Sequence, residues 1–178
     1  MPWFELAWVR PLFGAARALM PDPWAKRWFE SEAARIAALA RGLGPERGAR
    51  RVLVPRLAGL EDSSRYWSAY MTLEHLCIVN EGVIRIIQAL GEGRPYGVEV
   101  KIEDVKPSPS AGPEMLERFE GLAARYFPSV EKAIRSPSRL RHAHPWFGGL
   151  DARGWHCFAP IHHGLHRRQL EAIVRGCD

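Results

Sequence analysis

An all-α fold, a four-helix bundle preceded by an extra N-terminal helical segment, is predicted by three observations on this 178-residue sequence. Apolar residues recur at i, i+3, i+4 spacing through the long stretches, as they do on amphipathic helices. Clusters of Gly, Pro and Ser separate those stretches by connectors of medium length. Histidines fall at inward positions on two of the stretches, which is how bundles build sites between facing helices. The sequence carries no 20–50-residue repeat and no low-complexity tract.

Composition bounds the rest. A hydrophobic content of 47% with 25% charged residues suits one globular domain with a sizeable core. Lys and Arg number 25 against 20 acids, for a net charge of +5, but the basic residues are spread along the chain. That excess favours anionic ligands without forming the concentrated stripe that nucleic acid requires, so no nucleic-acid partner is expected. Cys77, Cys157 and Cys177 form neither a C-x-x-C pair nor an even framework. They read as reduced thiols of a cytoplasmic protein, with Cys77 in the core and Cys157 packing rather than ligating.

The elements follow in order. Residues 1–22 are an apolar N-terminal extension in which Phe4, Trp8, Leu12, Ala15 and Leu19 recur at helical spacing. Glu5, Arg10, Pro11 and Arg17 interrupt it, leaving neither a membrane span nor a signal peptide. An interfacial membrane helix is one reading, and a docking helix or a homodimer contact is the preferred one. The bundle domain is assigned to residues 23–178. Asp22-Pro23 starts its first helix, whose stripe is Ala33, Ile36, Ala37 and Ala40, and Gly42, Gly44 and Pro45 end it. Val52 to Val54 are cut short by Pro55 and read as part of a connector. Asp62, Ser63 or Ser64 is expected to cap the second helix, which runs to about Leu90 and stops at Gly91, Gly93 and Pro95. Tyr96 to Gly112 begins with strand-like alternation and ends as a Pro/Ser loop. Pro113 opens the third helix, with a pause expected at Pro128, and a basic loop, SRLRHAH, leads to Asp151, the cap of the last. Pro160 marks either a kink that aims the following histidines or a junction between two shorter helices.

The stretch WHCFAPIHHGLHRRQ, residues 155–169, holds four of the seven histidines. On a helix His162 and His166 share a face and can present two imidazoles to one ion. Zinc-like ions need a further protein ligand, and His75 is the best candidate. It lies on an apolar face with Trp67, Met71, Ile78 and Gly82, where an unpaired imidazole would be costly to bury. His163, at i, i+3 from His166, is a register alternative to His162.

The pairing of TLEHLCIVN, residues 72–80, with HPWFGGLDARGW and IHHGLHRRQ, spanning residues 144–169, resembles the DinB/YfiT-like metalloenzyme superfamily of four-helix bundles. The resemblance covers most of the chain from about Pro23 and rests on these two short motifs. It implies that His75, His162 and His166 bind a divalent metal, zinc or nickel, with open positions for water or substrate. It also implies thiol-dependent transfer or isomerisation of small electrophiles, with a low-molecular-weight thiol as cosubstrate. Arg168 and Gln169 match the family's usual ending. The chain departs from the pattern at Leu165, where a histidine is usual, and at Pro160 and the N-terminal extension.

Around the metal, Glu74 is expected as a solvated or interhelical carboxylate rather than a base. His144 either lines the pocket or bonds backbone. His156 and His163 are expected at the surface or as outer partners of the ligands, and Trp67, Tyr70, Trp146 and Trp155 as core or pocket wall. The competing function is a non-catalytic protein whose histidines hold a structural or vestigial metal. Hydrolysis by a metal-bound hydroxide ranks last, since no positioned base is evident.

Overall fold

A computed structural model describes the backbone of residues 3–177 and side chains from Arg10 onward. Five helices lie among them: α1, Trp3–Leu19; α2, Asp22–Ala49; α3, Ala69–Gly91; α4, Glu114–Ile134; and α5, Ala152–Cys177. Helices α2 to α5 form the bundle, with α2 packed most extensively on α5 and α3 on α4. Two short antiparallel ribbons complete it. In one, β1 (Val52–Leu53) pairs with β2 (Tyr66–Trp67); in the other, β3 (His142–His144) pairs with β4 (Gly148–Leu150).

The helices form where the apolar stripes run, and several of their boundaries differ from the sequence expectation for identifiable reasons. Helix α2 does not stop at Gly42–Pro45. Gly44 adopts a left-handed φ of 67°, a conformation glycine takes without a Cβ clash, and Pro45 restarts the helix at a first-turn position that needs no N–H. The cap of α3 is Ser68, whose hydroxyl accepts from Met71 N at 3.1 Å. Asp62–Ser64 instead forms a 3₁₀ turn ahead of the β2 strand, so the helix begins several residues later than composition suggests.

Pro128 causes no pause in α4, and Pro160 lies within one continuous α5. The expected cap of α5 is present: Asp151 Oδ1 accepts from Gly154 N at 2.7 Å. The basic loop before it is partly the β3–β4 hairpin. Among the described residues Tyr96–Gly112 holds no strand, only a 3₁₀ turn at Glu103–Val105.

Two buried groups of apolar side chains fill the bundle. One is built on Ile36, Leu73, Leu76, Phe119 and Leu170, the other on Phe29, Ile87, Tyr126, Val130 and Trp155. Cys77 and Cys157 are buried in apolar surroundings, and burial pushes each thiol up to about 11. Ion pairs stitch the periphery. Arg167 of α5 donates to Glu32 of α2 and to Glu171, both at 2.5 Å, while the Trp28 indole N–H reaches Glu32 at 3.2 Å.

Helix α1 docks by a different face from the one its sequence stripe suggests. Phe13 is buried and stacks on Phe147 at 4.4 Å, and Met20 is buried, whereas Leu12 and Leu19 are exposed. Polar contacts explain the choice. Arg10 donates to Trp146 O at 2.6 Å, Arg17 pairs with Asp151, and Arg153 bonds Asp22 Oδ1 and the carbonyls of Arg17 and Met20. The side chains of Phe4 and Trp8 lie outside the described residues. No described helix is long and apolar enough to cross a membrane.

Candidate metal centre

His75 sits in the second turn of α3, and His162 and His166 lie one turn apart on α5, a helix packed against it. All three are buried. Their Nε2 atoms converge: His75 to His162 is 3.2 Å and His162 to His166 is 3.1 Å. Tetrahedral ligands about 2.0–2.1 Å from one ion would stand roughly 3.3 Å apart, so the spacing fits a bound metal.

Hydrogen bonds at the far side of each ring decide which nitrogen faces inward. His75 Nδ1–H donates to Val105 O at 2.7 Å. His166 Nδ1–H donates to Gln169 Oε1 at 2.7 Å, and Gln169 Nε2–H in turn donates to Ser64 O at 2.7 Å. Both rings are thereby held with an unprotonated Nε2 toward the centre, the tautomer a metal ligand needs. His162 lacks such a partner, and its Nδ1 is sealed without a hydrogen bond.

Three lone pairs directed at one point are poorly satisfied by protons alone. A proton on His162 Nε2 can be given fully to one neighbour at a time, and a cation serves all three. Burial also keeps these imidazoles neutral. It lowers His75 to about 4 despite the Val105 bond, and it lowers His162 and His166 as well, with each other's charge opposing protonation further. The group can hold a metal ion.

The centre opens on a cavity of about 240 Å³. Trp67, Trp155, Phe158 and Leu165 form much of its inner wall, and the segment Tyr96–Lys106 covers one side. Trp67 packs on both His75 and His166, with ring centroids 5.1 and 6.2 Å away. Phe158 packs on His162 at 5.1 Å. The acids at the cavity wall are Glu61, Glu99 and Asp104, of which Glu99 and Asp104 are exposed and Glu61 is half-buried.

The other residues singled out in the sequence take varied places. His144 and Trp67 line the cavity, and His144 Nδ1 also accepts from backbone N–H groups. Glu74 turns away and accepts from Ser108 N at 2.6 Å, tying down the loop between α3 and α4. Met71 is buried without lining the cavity. Neither His156 nor His163 is at the surface. His163 is fully buried, donating from Nδ1 to Ala159 O at 2.9 Å and accepting from Asn80 Nδ2 at 3.3 Å, and its ring packs on Phe29. With both nitrogens engaged away from the centre, it does not replace His162. His156, also fully buried, has its Nδ1 3.4 Å from the Tyr126 hydroxyl. Residues 155–163 form a wholly enclosed stretch of α5 apart from Ile161, which is why polar side chains there end up inside.

Sequence reasoning noted Gln169 only as part of the motif's ending and missed its bond to His166, although a glutamine three residues after a ligand shares its helix face; it did not single out the Val105 carbonyl at all. That carbonyl is a main-chain atom on an irregular loop and left no signal.

No family model matches the chain, and no curated protein matches it. Among solved structures it is similar to the crystal structure of TT2238, described as a four-helix bundle protein. The TM-score is 0.54 at 21% identity, over 85% of this chain and 99% of that one. The likeness shows a four-helix-bundle fold. It says nothing of what His75, His162 and His166 bind.

Proposed function

We propose that the chain is a divalent-metal-dependent enzyme of the DinB/YfiT kind, with His75, His162 and His166 as ligands and a small molecule of largely apolar surface as substrate. The observation that carries this reading is the convergence of three inward Nε2 atoms at the inner end of an apolar cavity. A site walled off on every side would suit a structural ion; one that faces a cavity leaves room for a reactant beside the ligands.

Zinc or nickel held there would supply Lewis acidity, lowering the pKa of a bound water or thiol toward neutrality. The chain's own residues do the rest. Val105 O and Gln169 keep the Nδ1 protons in place and fix two ring orientations. Trp67, Trp155 and Phe158 exclude water from the centre, which strengthens every electrostatic interaction made inside it. Transfer or isomerisation with a low-molecular-weight thiol is the reaction the family resemblance favours over hydrolysis.

The test is metal content. Protein purified without a metal-affinity tag and measured by elemental mass spectrometry is expected to hold close to one metal per chain. His75→Ala and His162→Ala are each expected to lose it while retaining helical circular dichroism. Wild-type protein that takes up neither zinc nor nickel after supplementation would overturn the proposal.

A further inference from the structure

His144 stands at the end of β3 and is 8% exposed. Its Nδ1 accepts from two backbone donors, Trp146 N at 3.1 Å and Phe147 N at 3.4 Å. A nitrogen that accepts carries no proton, so the neutral ring must bear its hydrogen on Nε2. That Nε2 has no hydrogen-bond partner among the described residues, and unlike the Nε2 of His142 it is not sealed from surrounding space. His144 lines the same cavity as the three clustered histidines, with the ring of Phe158 between: Phe158 lies 4.6 Å from His144 and 5.1 Å from His162.

We propose that His144 is a specificity-determining residue: a fixed donor whose Nε2–H binds a hydrogen-bond acceptor, a carbonyl oxygen, on an apolar ring-bearing molecule seated in the cavity against Phe158. The assignment rests on reading this cavity as a small-molecule site and names the class of molecule it takes. The β3–β4 turn holds the ring, so the donor is oriented before any ligand arrives and loses little freedom on binding. Burial keeps the ring neutral, lowering it to about 3 with no nearby acid to oppose the effect. The imidazole therefore serves as a constant donor across the physiological range.

Two probes of nearly the same shape isolate that donor: acetophenone, which has a carbonyl, and α-methylstyrene, which has a methylene in its place. Both are titrated into chelator-treated, ¹⁵N-histidine-labelled protein, and into His75→Ala, so the outcome does not depend on whether a metal binds. Long-range ¹H–¹⁵N spectra are expected to show His144 as the Nε2–H tautomer, with acetophenone shifting that resonance. Acetophenone should bind roughly three- to tenfold more tightly than α-methylstyrene, the worth of one neutral hydrogen bond. In His144→Asn the shorter amide can still accept from the turn but cannot reach the cavity. There the ratio should fall to near one with α-methylstyrene affinity unchanged. An Nδ1–H tautomer, a preference that survives in His144→Asn, or failure of both probes to bind at millimolar concentration would each overturn the proposal. Should His144→Asn not fold, the tautomer and the acetophenone shift in the wild type decide it. Loss of metal from His75→Ala with the probe result intact would separate this site from the metal reading.

Discussion

Lowering the pH from 7.5 to 5 should strip the metal-free protein of most of its stability. Three buried imidazoles set the magnitude: His75 and His163 are lowered to about 4 and His144 to about 3, in each case chiefly by burial. An unfolded histidine titrates near 6.5. Between 6.5 and the folded values the unfolded chain therefore binds protons that the folded chain refuses. The stability from keeping these rings neutral is complete above 6.5 and drains as the pH falls toward 4. At pH 5 each ring costs about 2 kcal/mol, so the three together cost roughly 6 kcal/mol. That is comparable with the whole stability of a typical domain, about 5–15 kcal/mol. His162 and His166 are displaced in the same direction and steepen the loss. Urea unfolding of chelator-treated protein, followed by far-ultraviolet circular dichroism at half-unit steps, reads the slope directly. His163→Gln removes one titrating ring outside the ligand set and should flatten the difference between pH 7.5 and 5 by about 2 kcal/mol, whatever its effect on stability at neutral pH. A wild-type difference below about 1 kcal/mol would refute the claim that these rings are buried and neutral.

Two further substitutions probe how the site is held. Gln169→Leu removes the acceptor that orients His166 and leaves Ser64 O without its donor. Zinc affinity measured by chelator competition should fall about 10- to 100-fold, and unchanged affinity would show that Gln169 does not set the ring. Gly91→Ala would place a Cβ 2.6 Å from Ala133 Cα, where the end of α3 meets α4 backbone that cannot rotate aside. A loss of about 1–3 kcal/mol in urea unfolding is expected, with metal content per folded chain unaltered.

Much of the bundle was readable because its signals are periodic. The stripe through Ile36 and Ala40, the apolar run around His75 and the one-turn spacing of His162 and His166 each follow from 3.6 residues per turn, and the helices lie where those patterns place them. What escaped depends on single side chains or on the opposite partner. Asp62, Ser63, Ser64 and Ser68 are all competent caps, and pairing of Tyr66–Trp67 with Val52–Leu53 favours the last by holding the intervening residues extended. Gly44 looks like a stop, yet one left-handed residue lets the helix resume at Pro45. His156 and His163 look like surface residues by type, but α5 is packed against both α2 and α3 along this stretch, leaving no outward face. The docking face of α1 was set by Arg10, Arg17 and Phe13 finding partners 130 or more residues away, information that no local stripe contains.

The Val105 carbonyl belongs to the segment that walls the cavity and at the same time receives the His75 proton. If the proposed function holds, selectivity and metal affinity are written on one piece of backbone. A library randomising residues 98–106 to admit bulkier compounds would also scatter the pitch and basicity of a ligand ring, and many of its members would fail for want of metal rather than for want of fit. Selections that ignore metal loading would discard pockets of the desired shape. Supplementing the growth medium with zinc or nickel, or leaving residues 103–106 untouched, would recover them.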